Sequence, residues 1–281
     1  MSDFVLEERE KNNPEMIARD IKMQWDTPAY DGKFLLLVEH DNDKRCYFKM
    51  FNPDKVAIKT SRGCNCMKRL FDAVQPYGIP NFAIQDSDFA RVCGRQPREI
   101  NYFLTDCHDH EMMCLSDIEV MKSIFINLAQ LYDPALVSEV FDDLKMLSFF
   151  KWYNYDQRLM VNFRGYKARG KSKADLHSFA VIYSIVKPQS PKCAKVITET
   201  DIREFISRQV SWNMFETTNG HDFLDLLSQY IGLKYRMPNL NSEHLRPIIY
   251  TSFTFNRFKN TQLYKDICDW AGVDAPTLFA A

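Results

Sequence analysis

The sequence predicts an α/β fold, a mostly parallel sheet flanked by helices, followed by a mainly α-helical C-terminal half. Three observations predict it. Up to residue 104, short apolar runs alternate with segments of helical spacing. Three of the four runs end in carboxylates, and from Ser116 onward the pattern is helix after helix. The chain has 281 residues, room for one large domain or two ordinary ones at roughly 150 residues each. The change of character suggests a cut into residues 1–115 and 116–281.

Phe34-Leu-Leu-Leu-Val38 is a continuous apolar run, the pattern of a strand covered on both faces. It ends at Glu39, and residues 41–51 then have helical spacing with Tyr47, Phe48 and Phe51 as the apolar side. Residues 56–58 make a second strand that breaks at Gly63, before Met67, Leu70, Phe71 and Val74 recur at helical spacing. Gly78 and Pro80 mark a turn, residues 82–84 make a third strand that runs into Asp86-Ser87-Asp88, and residues 100–104 make a fourth that ends at Asp106. Ser116 and Glu119 are spaced as a capping box ahead of a face of Val120, Met121, Ile124, Phe125, Leu128 and Leu131. Asp133-Pro134 opens another helix, with Leu136, Val137, Val140, Phe141, Leu144 and Leu147 on its buried side. Further helices are predicted over 201–209, 221–231 and 262–270.

Composition narrows the classes. Hydrophobic residues are 46% and charged residues 26%, which excludes a disordered or low-complexity chain. Basic and acidic residues number 36 and 37, so no overall field attracts nucleic acid or membrane; any nucleic-acid contact needs a local patch or a bound metal. No stretch approaches the roughly 18 apolar residues of a membrane span, and the charged N-terminus lacks the apolar segment of a secretory signal. The expectation is a soluble, cytoplasmic protein. Of the eight cysteines only Cys64 and Cys66 are closely spaced, which argues for reduced thiols rather than a zinc site.

The chemistry gathers where strands end, since ligands of open α/β sheets bind outside the carboxyl ends of the strands. Glu39 follows the first strand, Asp43 begins the next helix, and Asp86 and Asp88 follow the third strand. Residues i and i+2 of a strand share a side, so Asp86 and Asp88 are expected to face one ion. Carboxylates that converge without basic partners repel one another unless a cation lies between them. Mg²⁺ (or Mn²⁺) suits such oxygen ligands and supports phosphate chemistry. Any one of these acids alone reads better as a solvated loop residue or helix cap; it is their combination that points to a metal.

FLLLVEHDNDKRCYFKMF followed by FAIQDSDF resembles the Toprim fold of topoisomerases, primases and overcoming-lysogenization-defect nucleases. The continuation INYFLTDCHDHEMMCLSD is more specific. Its Thr105, Asp106, His108, Asp109, Glu111, Met112 and Met113 resemble a Toprim-like family of bacterial defence effectors, the AriB type of the PARIS anti-phage systems. The resemblance covers about residues 30–115. It implies a metal-dependent endoribonuclease, a toxin whose foremost substrate is tRNA, restrained by an ABC-type (AriA-like) ATPase partner. Glu39 would then be general base or metal ligand, and Asp86 and Asp88 metal ligands. One departure is His40, where Toprim proteins commonly carry Gly after the glutamate. Asp43 and His108 join the catalytic candidates; His108 and Glu111 are expected to share a helix face, and Asp106 is a further candidate. Capping by Asp106 or Asp109 is the plainer alternative. A homodimer would fit an RNA-cutting effector.

Between Gln157 and Ala174 there is no acidic residue, but Arg158, Arg164, Lys167, Arg169, Lys171 and Lys173 occur, with Tyr153, Tyr155, Phe163 and Tyr166 among or just before them. Cations for the backbone and aromatic faces for bases suit single-stranded RNA; a solvated hairpin, or a surface for an acidic patch of the ATPase, fits as well. Gly165 to Ser172 also reads G-x-x-x-x-G-K-S after a strand-like run at 159–163. Against a P-loop stand the absence of a following strand ending in Asp and two extra cations in the loop. A non-catalytic adaptor for the ATPase is the main alternative to a nuclease, and a P-loop NTPase the third reading.

Overall fold

The computed structural model describes residues 13–61 and 64–280. The charged N-terminus, the expected break at Gly63 and the Cys64 thiol lie outside the described residues. A four-stranded, all-parallel sheet is built from β1 (Phe34–Val38), β2 (Val56–Thr60), β3 (Asn81–Gln85) and β4 (Tyr102–Leu104), in the order β2-β1-β3-β4. The predicted fold class is therefore the observed one. The register pairs Leu36 with Ile58 on one side and with Phe82 on the other.

The chain forms two compact units. One holds the described residues up to Asp86, together with Gln96–Asp106 and residues from Phe253 onward; the other holds Ser87–Arg95 and Cys107–Ser252. The sequence suggested a single cut after residue 115, whereas the chain passes between the units at 86/87, 95/96, 106/107 and 252/253.

In the first unit the all-apolar β1 is explained by cover on both faces. On one face Leu35 and Leu37 pack with Ala83 and Tyr102 against Ala18 and Ile21 of α1 (Pro14–Trp25) and Met67, Leu70, Phe71 and Val74 of α3 (Cys64–Val74). On the other face the aromatic rings of Phe34, Phe82 and Phe103 meet Trp270, at centroid distances of 6.0, 5.2 and 5.9 Å. Trp270 belongs to a C-terminal helix, α14 (Gln262–Ala271). Phe51, Phe258 of α13 (Phe255–Phe258) and Phe279 extend that aromatic layer. The helix after β1, α2, is shorter than predicted, Asp41–Tyr47.

The second unit is helical. Asp109 caps α4 (His110–Ser116), and α5 (Ile118–Ala129) follows. The cap of α5 is Asp117, which accepts from the Glu119 amide, rather than the predicted Ser116, which ends α4. Leu131, placed by its spacing on the buried face, is 70% exposed because α5 stops at Ala129. The long α6 (Pro134–Gln157) begins as predicted, with Asp133 accepting from the Leu136 amide and Pro134 in the first turn. Beyond it come α7 (Lys173–His177), α8 (Phe179–Val186), α9 (Glu199–Ser207), α10 (Met214–Thr217), α11 (Gly220–Lys234) and α12 (Ser242–Ser252). No helix among the described residues is long and apolar enough to cross a membrane.

Candidate active site

In the first unit the chain runs from β1 to β2 on one side and then to β3 on the other, so the strand order reverses between β1 and β3. That reversal is where open α/β sheets bind ligands. Glu39 follows β1 directly and Asp86 follows β3 directly, so the sheet itself juxtaposes them. Glu39 is 3% exposed, and its Oε1 accepts the Asp86 backbone N–H at 3.3 Å. Asp43, in the first turn of α2, accepts the His40 backbone N–H through Oδ2 at 2.7 Å, which holds its carboxylate at the helix start. Asp43 and Asp86 bring ligand oxygens within 4.8 Å of each other. This set of hard oxygen donors, partly buried and of one sign, fits a small divalent cation. His40 has φ −133°, ordinary extended backbone, so the departure from Gly at this position carries no conformational cost.

Asp88 falls in the second unit. The expectation that it shares a strand face with Asp86 is not met, because β3 ends at Gln85 and Asp88 has φ +46°. Its amide donates to the His108 carbonyl at 2.6 Å. Burial pushes its carboxyl above the usual aspartate value; the positive charge of His108 works against this and the negative charge of Asp109 with it. His108 is buried, its ring edge-on to Phe89 at 4.8 Å. Its Nδ1 lies 3.2 Å from Asp109 Oδ2, while its Nε2 has no hydrogen-bond partner among the described residues. Asp109 is more than the cap expected of it. It accepts the amides of Met112 at 2.9 Å and Gly220 at 2.6 Å as well as facing His108. Burial opposes both charges, yet the hydrogen bond and charge of His108, with the two amides, draw Asp109 down to about 2, and Asp109 in turn raises the His108 pKa. A carboxylate that fixes one imidazole nitrogen and leaves the other presented suits a proton carrier or a ligand. Lys151, a cation on α6 paired with Asp222, adds its charge to both Asp88 and His108. Asp109 and Lys151 were missed as functional candidates, one because it also reads as a cap, the other because it sits in an apolar helical run.

Two other candidates are taken up by packing. His108 precedes α4, so it shares no helix face with Glu111. Glu111 is fully buried, with Oε1 3.2 Å from Arg246 Nε, and Arg246 also meets Glu243 and, at 2.9 Å, His221 Nδ1. Asp106 accepts the amides of Gln262 and Leu263 at 2.6 and 2.8 Å and so anchors the start of α14.

In the basic segment, Arg158, Arg164 and Lys167 are exposed and without an ion-pair partner among the described residues. Arg169 is turned inward, donating to Ser228 Oγ at 2.7 Å and the Leu240 carbonyl at 2.8 Å, so it clamps the fold. Lys173 pairs with Glu139, and Lys171 is half-buried. Phe163 packs edge-on to Phe150 at 5.0 Å and Tyr166 is buried, which makes them core rather than stacking platforms. The P-loop pattern lacks its context. Residues 159–163 form no strand, the following α7 has five residues, and α8 stands where a second strand would be needed. The loop amides are already used: Gly170 donates to Gln229 Oε1 at 2.6 Å, Lys171 to the Ala168 carbonyl at 3.1 Å, and Ser172 to Asp175 at 3.3 Å. A phosphate cradle needs those N–H groups unspent.

No protein-family model, no curated protein and no solved structure matches the chain.

Proposed function

We propose that this protein is a divalent-metal-dependent nuclease, with Mg²⁺ or Mn²⁺ as its cofactor and phosphodiester hydrolysis as its reaction. The observation that carries the reading is the closeness of the Asp43 and Asp86 ligand oxygens, with Glu39 hydrogen-bonded to the Asp86 amide, at the reversal point of a parallel sheet. Asp43 and Asp86 would hold the ion, with Glu39 beside them as ligand or general base. The ion would stabilise charge on the phosphate and lower the pKa of a bound water. Asp88 is retained as a ligand on the Toprim resemblance alone. His108, oriented by Asp109 and with an Nε2 that has no hydrogen-bond partner among the described residues, is retained as a proton-transfer candidate on that resemblance.

The finer reading rests on the same resemblance: an AriB-type effector that cleaves tRNA in anti-phage defence and is restrained by an ABC-type ATPase. Arg158, Arg164 and Lys167, exposed and without an ion-pair partner among the described residues, support contact with an RNA backbone. The test is incubation of the purified protein with a total tRNA pool, single-stranded DNA and duplex DNA, with Mg²⁺ or with EDTA, beside Glu39→Gln. Cleavage of tRNA that EDTA and Glu39→Gln both abolish is the expected result. Cleavage that survives EDTA refutes the metal centre, and intact RNA in every lane favours the adaptor reading.

A further inference from the structure

In the first unit β2 is an edge strand. The ladder to β1 uses the backbone of Lys55, Ala57, Lys59 and Ser61, as the bonds Phe34 N to Lys55 O and Ser61 N to Val38 O show. The N–H and C=O of Ile58 and the N–H of Thr60 therefore point away from the sheet, and no backbone group among the described residues receives those N–H donors. Along this edge runs a groove of about 350 Å³. Its apolar lining includes Phe48, Phe51, Val56 and Ile58, and Phe48 is 61% exposed. Lys33, Lys44 and Lys59 line it as well, and no aspartate or glutamate does so among the described residues. Lys33 spends its ammonium on the Pro53 carbonyl at 2.9 Å and Lys59 on the Tyr30 hydroxyl at 3.2 Å, so neither charge is neutralised.

Lysines alone on an edge strand would read as protection against sheet-to-sheet association. An exposed phenylalanine beside unspent strand N–H and C=O groups does the opposite: it offers a foothold. The combination matches strand addition, in which main-chain hydrogen bonds supply affinity and alternate side chains supply specificity. We propose that the outer edge of β2 docks an extended, acidic segment of a partner protein, with carboxylates alternating with β-branched apolar residues. A second copy of this chain is disfavoured as occupant, because pairing two such edges would set lysines against lysines. This inference is independent of the nuclease reading.

The probe is a fluorescein-labelled, end-blocked peptide Asp-Val-Glu-Ile-Glu-Val-Asp-Thr, followed by anisotropy against the full chain, with a Lys-for-Asp/Glu peptide as control. Binding of the acidic peptide is expected, at least tenfold tighter than the basic one, and weakening as salt is raised. Thr60→Pro removes one outward N–H while keeping every bond to β1, and is expected to weaken binding at least tenfold. Lys33→Glu, a surface change that does not touch the ladder, should weaken the acidic peptide and strengthen the basic one. Equal binding of both peptides, or undiminished binding by Thr60→Pro, overturns the proposal. So does a dimer in sedimentation that Thr60→Pro dissolves, which would assign the edge to self-association. Loss of tRNA binding in Lys33→Glu with peptide binding unchanged would assign the lysines to nucleic acid and overturn it equally.

Discussion

Substitution of Gly220 by alanine sets two physical effects against each other. Gly220 is the first residue of α11, where helix propensity alone favours alanine by up to about 1 kcal/mol. A Cβ there, however, would stand 2.5 Å from Asp109 Oδ1 and 2.8 Å from Glu111 Cβ. Asp109 cannot swing aside freely: it is 3% exposed and held by the amides of Gly220 at 2.6 Å and Met112 at 2.9 Å and by His108 at 3.2 Å. Clearing the clash weakens two hydrogen bonds to a charged acceptor, each worth roughly 1.5–3 kcal/mol. Less the helix gain, the net cost is about 2–5 kcal/mol. At roughly 2–4 °C per kcal/mol, thermal unfolding followed by circular dichroism should show a midpoint lowered by at least about 4 °C. In an Asp109→Ala background the same glycine change should cost less, since the carboxylate it displaces is gone and only the close contact with Glu111 Cβ remains. A raised midpoint for Gly220→Ala, or additive costs in the double variant, would refute the reasoning.

Three further outcomes follow from the same unit. Arg246→Ala leaves the fully buried Glu111 without its cation and should destabilise by about 3–5 kcal/mol in urea unfolding, whereas joint replacement of Arg246 by Met and Glu111 by Leu should restore most of the loss. Asp109, drawn down to about 2 against roughly 3.9 unfolded, contributes stability that is present above about pH 4 and lost as pH falls towards 2. Thermal midpoints measured across that window should fall more steeply for wild type than for Asp109→Asn. His108, raised by Asp109, has the opposite sign, with stability present at low pH and lost as pH rises through its folded value. Because the amides of Gly170, Lys171 and Ser172 are spent, millimolar Mg-ATP should give no thermal shift, and on the proposed nuclease reading Lys171→Ala should leave cleavage of tRNA intact.

The alternation of short apolar runs with helical spacing was enough to predict the parallel sheet, because strands covered on both faces must be apolar throughout and β1 is. Glu39 and Asp86 were legible for a related reason: in such a sheet the residue after a strand lies at the binding edge whatever the neighbours do. Strand order was not legible. Only hydrogen-bond pairing set β1 beside β3 and so put those two carboxylates at one point. The shared face assumed for Asp86 and Asp88 failed because strand periodicity holds only while the backbone is extended, and it turns after Gln85. Spacing could not show that Arg169 points inward, that Asp106 anchors a helix 156 positions on, or that Gly220 supplies an amide to Asp109. These contacts join distant parts of the chain, and nothing local in the sequence encodes them. Local propensity and period, then, determined the elements and where chemistry gathers; packing alone decided which charges meet, which are spent on structure, and which remain exposed.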